Sequence, residues 1–226
     1  MKFSGLALLS LIPCTAVGCA LHHASAAFGG SPSTVGSGNR TTETRNVAAF
    51  HGIAYANAGS LDVTVGKGQK LTLEIDDNLM KEIRTEVRDG ILYIESKHGY
   101  QSKKGLKVIA QVSSLDSLSL SGSVAAKVAG VNSDKLKADI SGSGALNAAG
   151  TVGKLSIDVS GSGSADLKNL HARSAGVDIS GSGSVRVFAS DSLEANISGS
   201  GSIEYAGNPK KVTKDVSGAG VIRPAN

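Results

Sequence analysis

Apolar and polar residues alternate along the second half of the chain, around a Ser-Gly-Ser sequence that returns every 18 to 20 residues. Copies begin at Ser121, Ser141, Ser160, Ser180 and Ser198, and a variant, Ser-Gly-Ala-Gly, begins at Ser217. The residue before each copy is always aliphatic: Leu120, Ile140, Val159, Ile179, Ile197 and Val216. Most positions two and four residues further upstream are apolar too. This period of two is typical of strands with one buried face.

Each repeat is therefore predicted to contain a strand, a glycine-rich corner, a second strand and a variable connector that leads back to the start of the next repeat. A repeat of this length suits one coil of a solenoid, in which equivalent strands pair in parallel about 4.8 Å apart. We predict an all-β fold, a single-stranded parallel β-helix with about 19–20 residues per rung. Glycine adopts positive φ readily and so suits a repeated bend. The predicted structural turn positions are Gly142, Gly144, Gly161, Gly163, Gly181, Gly183, Gly199 and Gly201.

The outward face before the corner carries an aspartate in three successive repeats, and each aspartate is followed two residues later by a serine; we call this the acidic column. Its members are Asp139, Asp158 and Asp178, with Ser141, Ser160 and Ser180. Carboxylates one rung apart repel by roughly 1 kcal/mol in water and by about 3–4 kcal/mol at an effective dielectric of 20. Solvent, a nearby lysine such as Lys137, a raised pKa or a bound cation must offset this repulsion.

Three interpretations of the acidic column remain open. Hard cations such as Ca²⁺ prefer oxygen ligands, and β-helix enzymes that cleave polysaccharides also align carboxylates on a surface. Alternatively, outward aspartates only keep a parallel strand soluble and prevent edge pairing. A catalytic site needs one unique constellation, so the near-uniform column argues against catalysis. We treat its six residues as candidate ligand or cation contacts, and predict no catalytic residue, no separate metal site and no cofactor.

Other chemistry leaves no convincing pattern in the sequence. The histidines lack metal-ligand spacing, and the Gly-Ser-Gly stretches have neither the context of a nucleophile elbow nor the Lys-Ser/Thr ending of a P-loop. The net charge is +4, and the basic residues are dispersed rather than gathered in a stripe. Nucleic acid is therefore not an expected partner.

The N-terminus has the pattern of an export signal, with Lys2 before an apolar run. We predict a signal peptide over residues 1–26, ending at the Ala-x-Ala site Ala24-Ser25-Ala26. Alternatively, Ala16-Val17-Gly18-Cys19 resembles a lipobox, and cleavage before Cys19 would make this residue the lipid anchor and the sole contact with a membrane. Both cysteines lie in this segment, so the predicted mature domain contains no disulfide.

Composition divides the remainder of the chain into a tether and a β-helix domain. Residues 27–46 are rich in Gly, Ser and Thr and are predicted to be a flexible linker. Residues 47–226 are predicted to be the β-helix domain. Within it, residues 47–112 form irregular N-terminal rungs that cap the open end, and residues 113–226 contain the Ser-Gly-Ser-Gly repeats.

Several blocks of this domain together resemble one bacterial family. They are Phe50-His-Gly-Ile-Ala-Tyr, Leu61-Asp-Val-Thr-Val, Leu71-Thr-Leu-Glu-Ile-Asp-Asp-Asn-Leu, Ile83-Arg-Thr-Glu-Val-Arg-Asp-Gly-Ile-Leu-Tyr-Ile and the Ser-Gly-Ser-Gly repeats. The chain is similar, over about residues 47–222, to the "putative auto-transporter adhesin, head GIN domain" family of exported proteins. The resemblance implies a right-handed β-helix in the cell envelope, and it supplies no catalytic residues.

These observations favour a non-enzymatic exported protein that binds or adheres through its regular faces. The expected location is the periplasm, the outer membrane or the cell surface, and the expected partners are envelope glycans or surface proteins. A polysaccharide-active β-helix enzyme and a purely structural envelope protein are the alternatives.

Overall fold

The computed structural model describes residues 33–225, most of which lie in β-strands. The fold prediction is confirmed, because parallel coils stack into a β-solenoid of about five turns. The predicted signal peptide, Cys19 and the first part of the predicted linker lie outside the described residues. Within the described part of the chain, no helix has the length and apolar character needed to cross a membrane.

Short strands make up the N-terminal half of the domain. They are β1 (Thr34–Val35), β2 (Arg40–Arg45), β3 (Gly52–Ala56), β4 (Gly59–Val65), β5 (Lys70–Asp76), β6 (Ile83–Arg88), β7 (Ile91–Ser96), β8 (Tyr100–Gln101), β9 (Leu106–Val112) and β10 (Ser117–Gly122). A 3₁₀-helix, Asp77–Glu82, lies between β5 and β6. This half contains both parallel and antiparallel pairs.

Long strands follow in the repeat region, because each runs from one corner almost to the next. They are β11 (Val124–Gly142), β12 (Ala145–Gly161), β13 (Ser164–Gly181) and β14 (Ser184–Gly199), followed by the shorter β15 (Ser202–Ala206), β16 (Lys211–Gly218) and β17 (Val221–Pro224). All pair in parallel, and equivalent positions of successive repeats stand in register. Local irregularities in the pairing, such as the one between Asn147 and Ala149, accommodate the unequal repeat lengths.

The alternating apolar residues fill the interior of the coil. Ile157, Val177 and Ala195 come from successive repeats and are each 0% exposed. Fully burying a valine, leucine or isoleucine side chain contributes about 1.5–3 kcal/mol, so these columns supply much of the stability. Small side chains recur among them, which suits a narrow coil.

The two glycines of each corner have different roles. Gly181, the first of its corner, has φ +123°, and a Cβ there would lie 2.5 Å from the carbonyl oxygen of Gly161 in the preceding rung. Positive φ does not extend to the second glycine. Gly183 is buried, and a Cβ on it would lie 2.7 Å from Cγ1 of Val159 in the core. Positive φ and the close approach of the preceding rung therefore explain the first glycine, whereas lack of space in the core alone explains the second.

The order of the N-terminal rungs in space differs from their order in sequence. Strand β3 pairs in parallel with β7 on one side and with β10 on the other. Likewise, β4 lies between β9 and β11. The rung formed by β7 and β9 is therefore outermost, although it follows β3 and β4 in the chain. Antiparallel pairing of β5 with β9, and of β6 with β7, then ends the parallel stack at this side.

The prediction of a flexible linker through residue 46 is wrong for its last part. Strand β2 pairs antiparallel with β5, from Arg40 opposite Asp76 to Arg45 opposite Leu71. The Arg45 guanidinium also donates to the carbonyl oxygens of Ile83 at 2.7 Å and Met80 at 3.2 Å. These bonds fix a polar strand across the end of the domain. The polar composition reflects an edge strand rather than a tether.

The opposite end of the coil lacks such a cover among the described residues. Every residue of β16 is exposed, including Val212 and Val216 at positions that face inward in earlier rungs. Lys214 occupies a third inward position, where its ammonium lies 4.7 Å from the centre of the Tyr205 ring. The last rung therefore ends the stack with a mixed apolar and charged edge.

Candidate functional site

The predicted acidic column is assembled by the parallel register of the strands. Asp139, Asp158 and Asp178 stand opposite one another in β11, β12 and β13, and the column continues with Asn196 and Asp215. A parallel serine column lies two residues further along each strand, and consists of Ser121, Ser141, Ser160, Ser180, Ser198 and Ser217. Side chains two apart in a strand share one face. We call this combined surface the serine–acid face.

Two neighbouring side chains offset the repulsion between the carboxylates. The Lys137 ammonium lies 3.1 Å from Oδ1 of Asp139 and 3.8 Å from Oδ2 of Asp158. On the next rungs, Nδ2 of Asn196 donates to Oδ1 of Asp178 at 2.8 Å. The hydrogen bond with Asp139 raises the pKa of Lys137, as expected for an ammonium held beside carboxylates. Each aspartate of the predicted set thus has a polar partner.

Asp158 is the electrostatically strained member of the column. Partial burial raises its pKa above the usual value, and the negative charge of Asp139 raises it further. Lys137 acts in the opposite direction but does not cancel these effects. In the described residues, no group of three or more His, Cys, Asp or Glu side chains has the arrangement of a metal site.

A shallow groove of about 390 Å³ follows this face over four rungs. It is lined by Asp158, Ser160, Asp178, Ser180, Asn196, Ser198, Asp215 and Ser217, with the valine and isoleucine backbone between them. The four serines are exposed. The groove thus presents rows of hydroxyl, carboxylate and amide groups at the spacing of the rungs. It contains Asp158 and Asp178 of the predicted set, whereas Asp139 and Ser141 lie on the rung before it.

A second column of outward side chains lies on the other side of the corner, and its charged members form ion pairs with their neighbours. Arg186 stands between Asp166 and Glu204 in the register, and Arg223 follows Glu204. The Arg223 guanidinium lies 3.1 Å from Oε2 of Glu204, and the Lys168 ammonium lies 3.7 Å from Oδ2 of Asp166. Opposite charges on adjacent strands are mildly stabilising. This column therefore serves the stability of the coil.

A histidine–aspartate pair elsewhere has a structural explanation. Nδ1 of His51 lies 2.8 Å from Oδ1 of Asp116, and the Asp116 backbone N–H donates to the His51 carbonyl oxygen at 3.0 Å. Gly90 packs directly against the other side of the imidazole. These contacts hold the residue before β10 against the residue before β3, and β3 and β10 are neighbours in the sheet.

A second and larger cavity, of about 750 Å³, lies at the capped end and was not predicted from the sequence. We call it the cap cavity. Its lining includes Gly36, Asn57, Asp76, Tyr100, Ser102 and Lys103. These residues come from segments far apart in the chain, and some fall in the predicted linker. The break at Asp76-Asp77-Asn78 in an otherwise apolar alternation is the one sequence feature that marks it.

Three solved structures of proteins from Bacteroides and Parabacteroides species share this fold. A "putative adhesin" from Bacteroides fragilis is 22% identical, with a TM-score of 0.65 over 84% of this chain and 99% of its own. A "putative adhesin" from Parabacteroides merdae is 20% identical, with a TM-score of 0.61 over 85% and 99%. A "putative lipid binding protein" from Parabacteroides distasonis is 22% identical, with a TM-score of 0.60 over 86% and 100%. Identities this low support a common fold and nothing finer.

The family comparison covers most of the domain. No curated protein is significantly similar to this chain. The sequence profile described as "Putative auto-transporter adhesin, head GIN domain" matches residues 49–209, from just before β3 to just after β15. That range includes the crossed N-terminal rungs and all complete Ser-Gly-Ser-Gly corners. The chain therefore belongs to the "Putative auto-transporter adhesin, head GIN domain" family.

Proposed function

We propose that this protein is a non-enzymatic binding module of the cell envelope that adheres to glycans through the serine–acid face. The single observation that carries this function is the register of identical polar groups along the groove. Serine hydroxyls repeat on five consecutive pairings, and carboxylate or amide groups repeat beside them. Carbohydrates present hydroxyls in a similar repeating manner, and each hydroxyl both donates and accepts hydrogen bonds.

The charge distribution supports binding rather than catalysis on this face. Acid–base cleavage of a glycosidic bond needs two carboxyl groups in distinct environments, one of them protonated. Here the carboxylates recur at the same position of successive rungs instead of forming one unique pair, and each has a polar neighbour: Lys137 for Asp139 and Asp158, and Asn196 for Asp178. Equivalent weak contacts on several rungs add through multivalency, because the second contact forms at a high effective concentration. A long, regular face suits this mode of binding.

The proposed location is the cell envelope. The adhesin description of the family and the export pattern over residues 1–26 both support it. Lipidation at Cys19 would tether the domain to a membrane, whereas cleavage after Ala26 would release it. Mass spectrometry of the N-terminal peptide of the native protein distinguishes these two routes.

The test measures how serine variants of two faces bind to a glycan array and to polysaccharides from bacterial envelopes. Single Ser160→Ala, Ser180→Ala and Ser198→Ala variants should each weaken glycan binding by less than about tenfold, which is 1.4 kcal/mol. The triple variant should lose most of the binding. The matched control is the triple Ser164→Ala, Ser184→Ala and Ser202→Ala variant, whose serines form a second exposed column, on the other side of the corner.

Three outcomes would contradict the proposal. Equal losses in the two triple variants would show that the serine–acid face is not the contact surface. Complete loss in one single variant would point to one unique site and favour the enzymatic alternative. Binding of envelope proteins with no glycan binding would assign the face to a protein partner.

A further inference from the structure

The cap cavity is enclosed by segments that are far apart in the sequence. Its walls come from the segment around β1, the β3–β4 corner, the end of β5 and the segment around β8. Its volume of about 750 Å³ lies in the range of small-molecule sites, roughly 300–1,000 Å³. Its lining shares no residue with the groove of the serine–acid face, so the two surfaces can be tested independently.

Hydrogen bonds fix the wall formed by the β1 segment. The Gly36 backbone N–H donates to the Gln101 carbonyl oxygen at 2.8 Å, and Nδ2 of Asn78 donates to the Val35 carbonyl oxygen at 2.8 Å. The Ser37 backbone N–H donates in turn to Oδ1 of Asn78 at 2.9 Å. A chain segment held at three consecutive residues forms a fixed wall.

The lining contains one carboxylate, that of Asp76, the last residue of β5. Asp76 is 4% exposed, and its carboxylate lies directly against Gly36, where a Cβ would overlap Oδ2. Glycine at position 36 therefore makes room for this carboxylate. Asp76 also precedes the 3₁₀-helix as its N-cap residue, but its side chain makes no capping hydrogen bond. The carboxylate is thus buried beside the β1 wall rather than bound to the helix.

The cation that stands opposite Asp76 in the sheet is engaged elsewhere. Arg40 is the partner of Asp76 in the antiparallel ladder between β2 and β5. Its guanidinium donates to Oε1 of Glu74 at 3.2 Å, to the Glu74 carbonyl oxygen at 2.9 Å and to the Gly105 carbonyl oxygen at 2.8 Å. Within the part of the chain that the structure describes, no ion pair or side-chain hydrogen bond reaches the Asp76 carboxylate. The ladder therefore leaves this carboxylate without a counter-ion.

A buried carboxylate without a partner selects the charge of a ligand. Burying a charge is costly unless the charge is both paired and hydrogen-bonded. A cation that carries hydrogen-bond donors meets both requirements at once. The neighbouring Asn57 is 7% exposed, and its Nδ2 donates to the Ile94 carbonyl oxygen at 3.0 Å. Its amide oxygen is then the group left to accept a hydrogen bond from a ligand.

We propose that the cap cavity binds a primary ammonium group, with the Asp76 carboxylate as its counter-ion. An ammonium has three donors and no acceptor, so it needs several oxygen atoms around it. The lining supplies such oxygens on the side chains of Ser37, Asn57, Ser96 and Gln101. Amino sugars and the N-termini of peptides both carry this group. The inference goes beyond glycan binding by the serine–acid face and does not depend on it.

Other ligand classes fit a single buried carboxylate less well. An anion would be repelled by Asp76, and an acyl chain would leave the charge without a partner. Ca²⁺ takes six to eight oxygen ligands and favours several carboxylates, whereas this lining has one. Lys103 also belongs to the lining, but it is exposed and forms no ion pair with Asp76. A ligand ammonium therefore does not have to displace it.

The experiment compares probes that differ only in the charge of the amino group. Calorimetry and thermal shift measure the binding of glucosamine against N-acetylglucosamine, and of glycinamide against N-acetylglycinamide, to the full chain. At least one charged probe should saturate and raise the melting temperature. Its N-acetylated form should bind at least about tenfold more weakly, because the charged hydrogen bond is lost. Tighter binding of glucosamine identifies an amino sugar as the source of the ammonium, and tighter binding of glycinamide identifies a peptide N-terminus.

Variants assign the binding to Asp76. Asp76→Asn keeps the shape and should weaken the charged probe at least about tenfold, so that its advantage over the N-acetylated form disappears. Without a probe this variant should melt at an equal or higher temperature, because an unpaired buried charge is removed. Lys103→Gln should bind the charged probe equally or more tightly, because a like charge leaves the lining. The matched control is Asp62→Asn, an aspartate opposite Lys127 and outside the cavity, which should leave binding unchanged.

Further measurements separate this site from the serine–acid face and from misfolding. The Ser160→Ala, Ser180→Ala, Ser198→Ala triple variant should bind the charged probe normally, even if it no longer binds polysaccharide. The matched probes on the unmodified protein decide the question even if Asp76→Asn fails to fold. The proposal is overturned if neither charged probe saturates, or if each binds no more tightly than its N-acetylated form. Equal losses in Asp76→Asn and Asp62→Asn, or weaker binding in Lys103→Gln, would overturn it as well.

Discussion

At the scale of single residues, the acidic column shows how a repeat tolerates like charges. Parallel register forces equivalent aspartates to stand one rung apart, where they repel. Lys137 relieves the first two, and Asn196 in place of a further aspartate relieves the third. Asp158 lies between Asp139 and Asp178 and has its pKa raised. The repulsion within the acidic column is therefore greatest at Asp158.

Asp158→Asn should therefore stabilise the protein at neutral pH. In the folded protein the pKa of Asp158 is raised above 3.8, the value in the unfolded chain. The contribution of Asp158 to folding stability is therefore fully present below that pH and is lost as pH rises through the folded pKa. Its side chain is 44% exposed, and solvent screening limits the gain to about 1 kcal/mol or less. We expect the melting temperature to rise by about 1–3 °C at pH 7 and to be unchanged below pH of about 3.5.

Asp166→Asn is the matched control for this prediction. Asp166 also faces outward, but it stands opposite Arg186 and pairs with Lys168. Its replacement should leave the melting temperature unchanged or lower it slightly at pH 7. A lower melting temperature for Asp158→Asn at pH 7 would show that its ion pair with Lys137 outweighs the repulsion.

At the scale of elements, the repeats were predictable because each coil carries the same local pattern. Apolar alternation identifies the strands, and the recurring glycines identify the corners. The N-terminal cap was not predictable in the same way. Strand β2 has the sequence Arg-Thr-Thr-Glu-Thr-Arg, without apolar alternation, and its partner β5 lies about thirty residues further along the chain. The position of β3 between β7 and β10 likewise depends on pairing between distant segments.

The same reasoning explains which parts of the candidate sites could be predicted. The serine–acid face follows from a period of two and a constant repeat, so its residues could be named in advance. The cap cavity joins Gly36, Asp76 and Tyr100, which no local pattern connects. Its glycine–serine wall has the composition of a tether, yet hydrogen bonds to β8 and to Asn78 hold it in place. Composition alone does not distinguish these two states.

Truncation measures what β2 contributes as an element. A chain that begins at residue 47 loses the ladder with β5 and the Arg45 bonds to the carbonyl oxygens of Met80 and Ile83. At about 0.5–1.5 kcal/mol net per hydrogen bond, we expect a loss of at least about 3 kcal/mol and a melting temperature lower by roughly 6–12 °C. A chain that begins at residue 33 keeps these contacts and is the control. Identical melting of the two chains would mean that residues 33–46 act only as a tether.

At the scale of the whole molecule, the two ends of the solenoid differ in how well their terminal strands are covered. In solenoids each rung contacts only its neighbours, so a terminal rung needs a cap or loses half of its contacts. The N-terminal end has antiparallel strands and a 3₁₀-helix whose Leu79 is 0% exposed. The C-terminal end has β16, with Val212 38% and Val216 41% exposed. Lys214 at an inward position protects this edge from pairing with a further strand, because charged side chains oppose such pairing.

This asymmetry predicts a gradient of local stability along the coil, which hydrogen exchange measures directly. Amides of β16 and β17 should exchange at least about 100-fold faster than those of β12 and β13, because the last rung opens without disturbing the others. Strand β2 is the internal control, since it is also a terminal strand but is anchored by Arg40 and Arg45. Its amides should exchange more slowly than those of β16. Equal protection of the two ends would contradict the gradient, and protection of β16 that rises with protein concentration would instead indicate that a second copy covers the open edge.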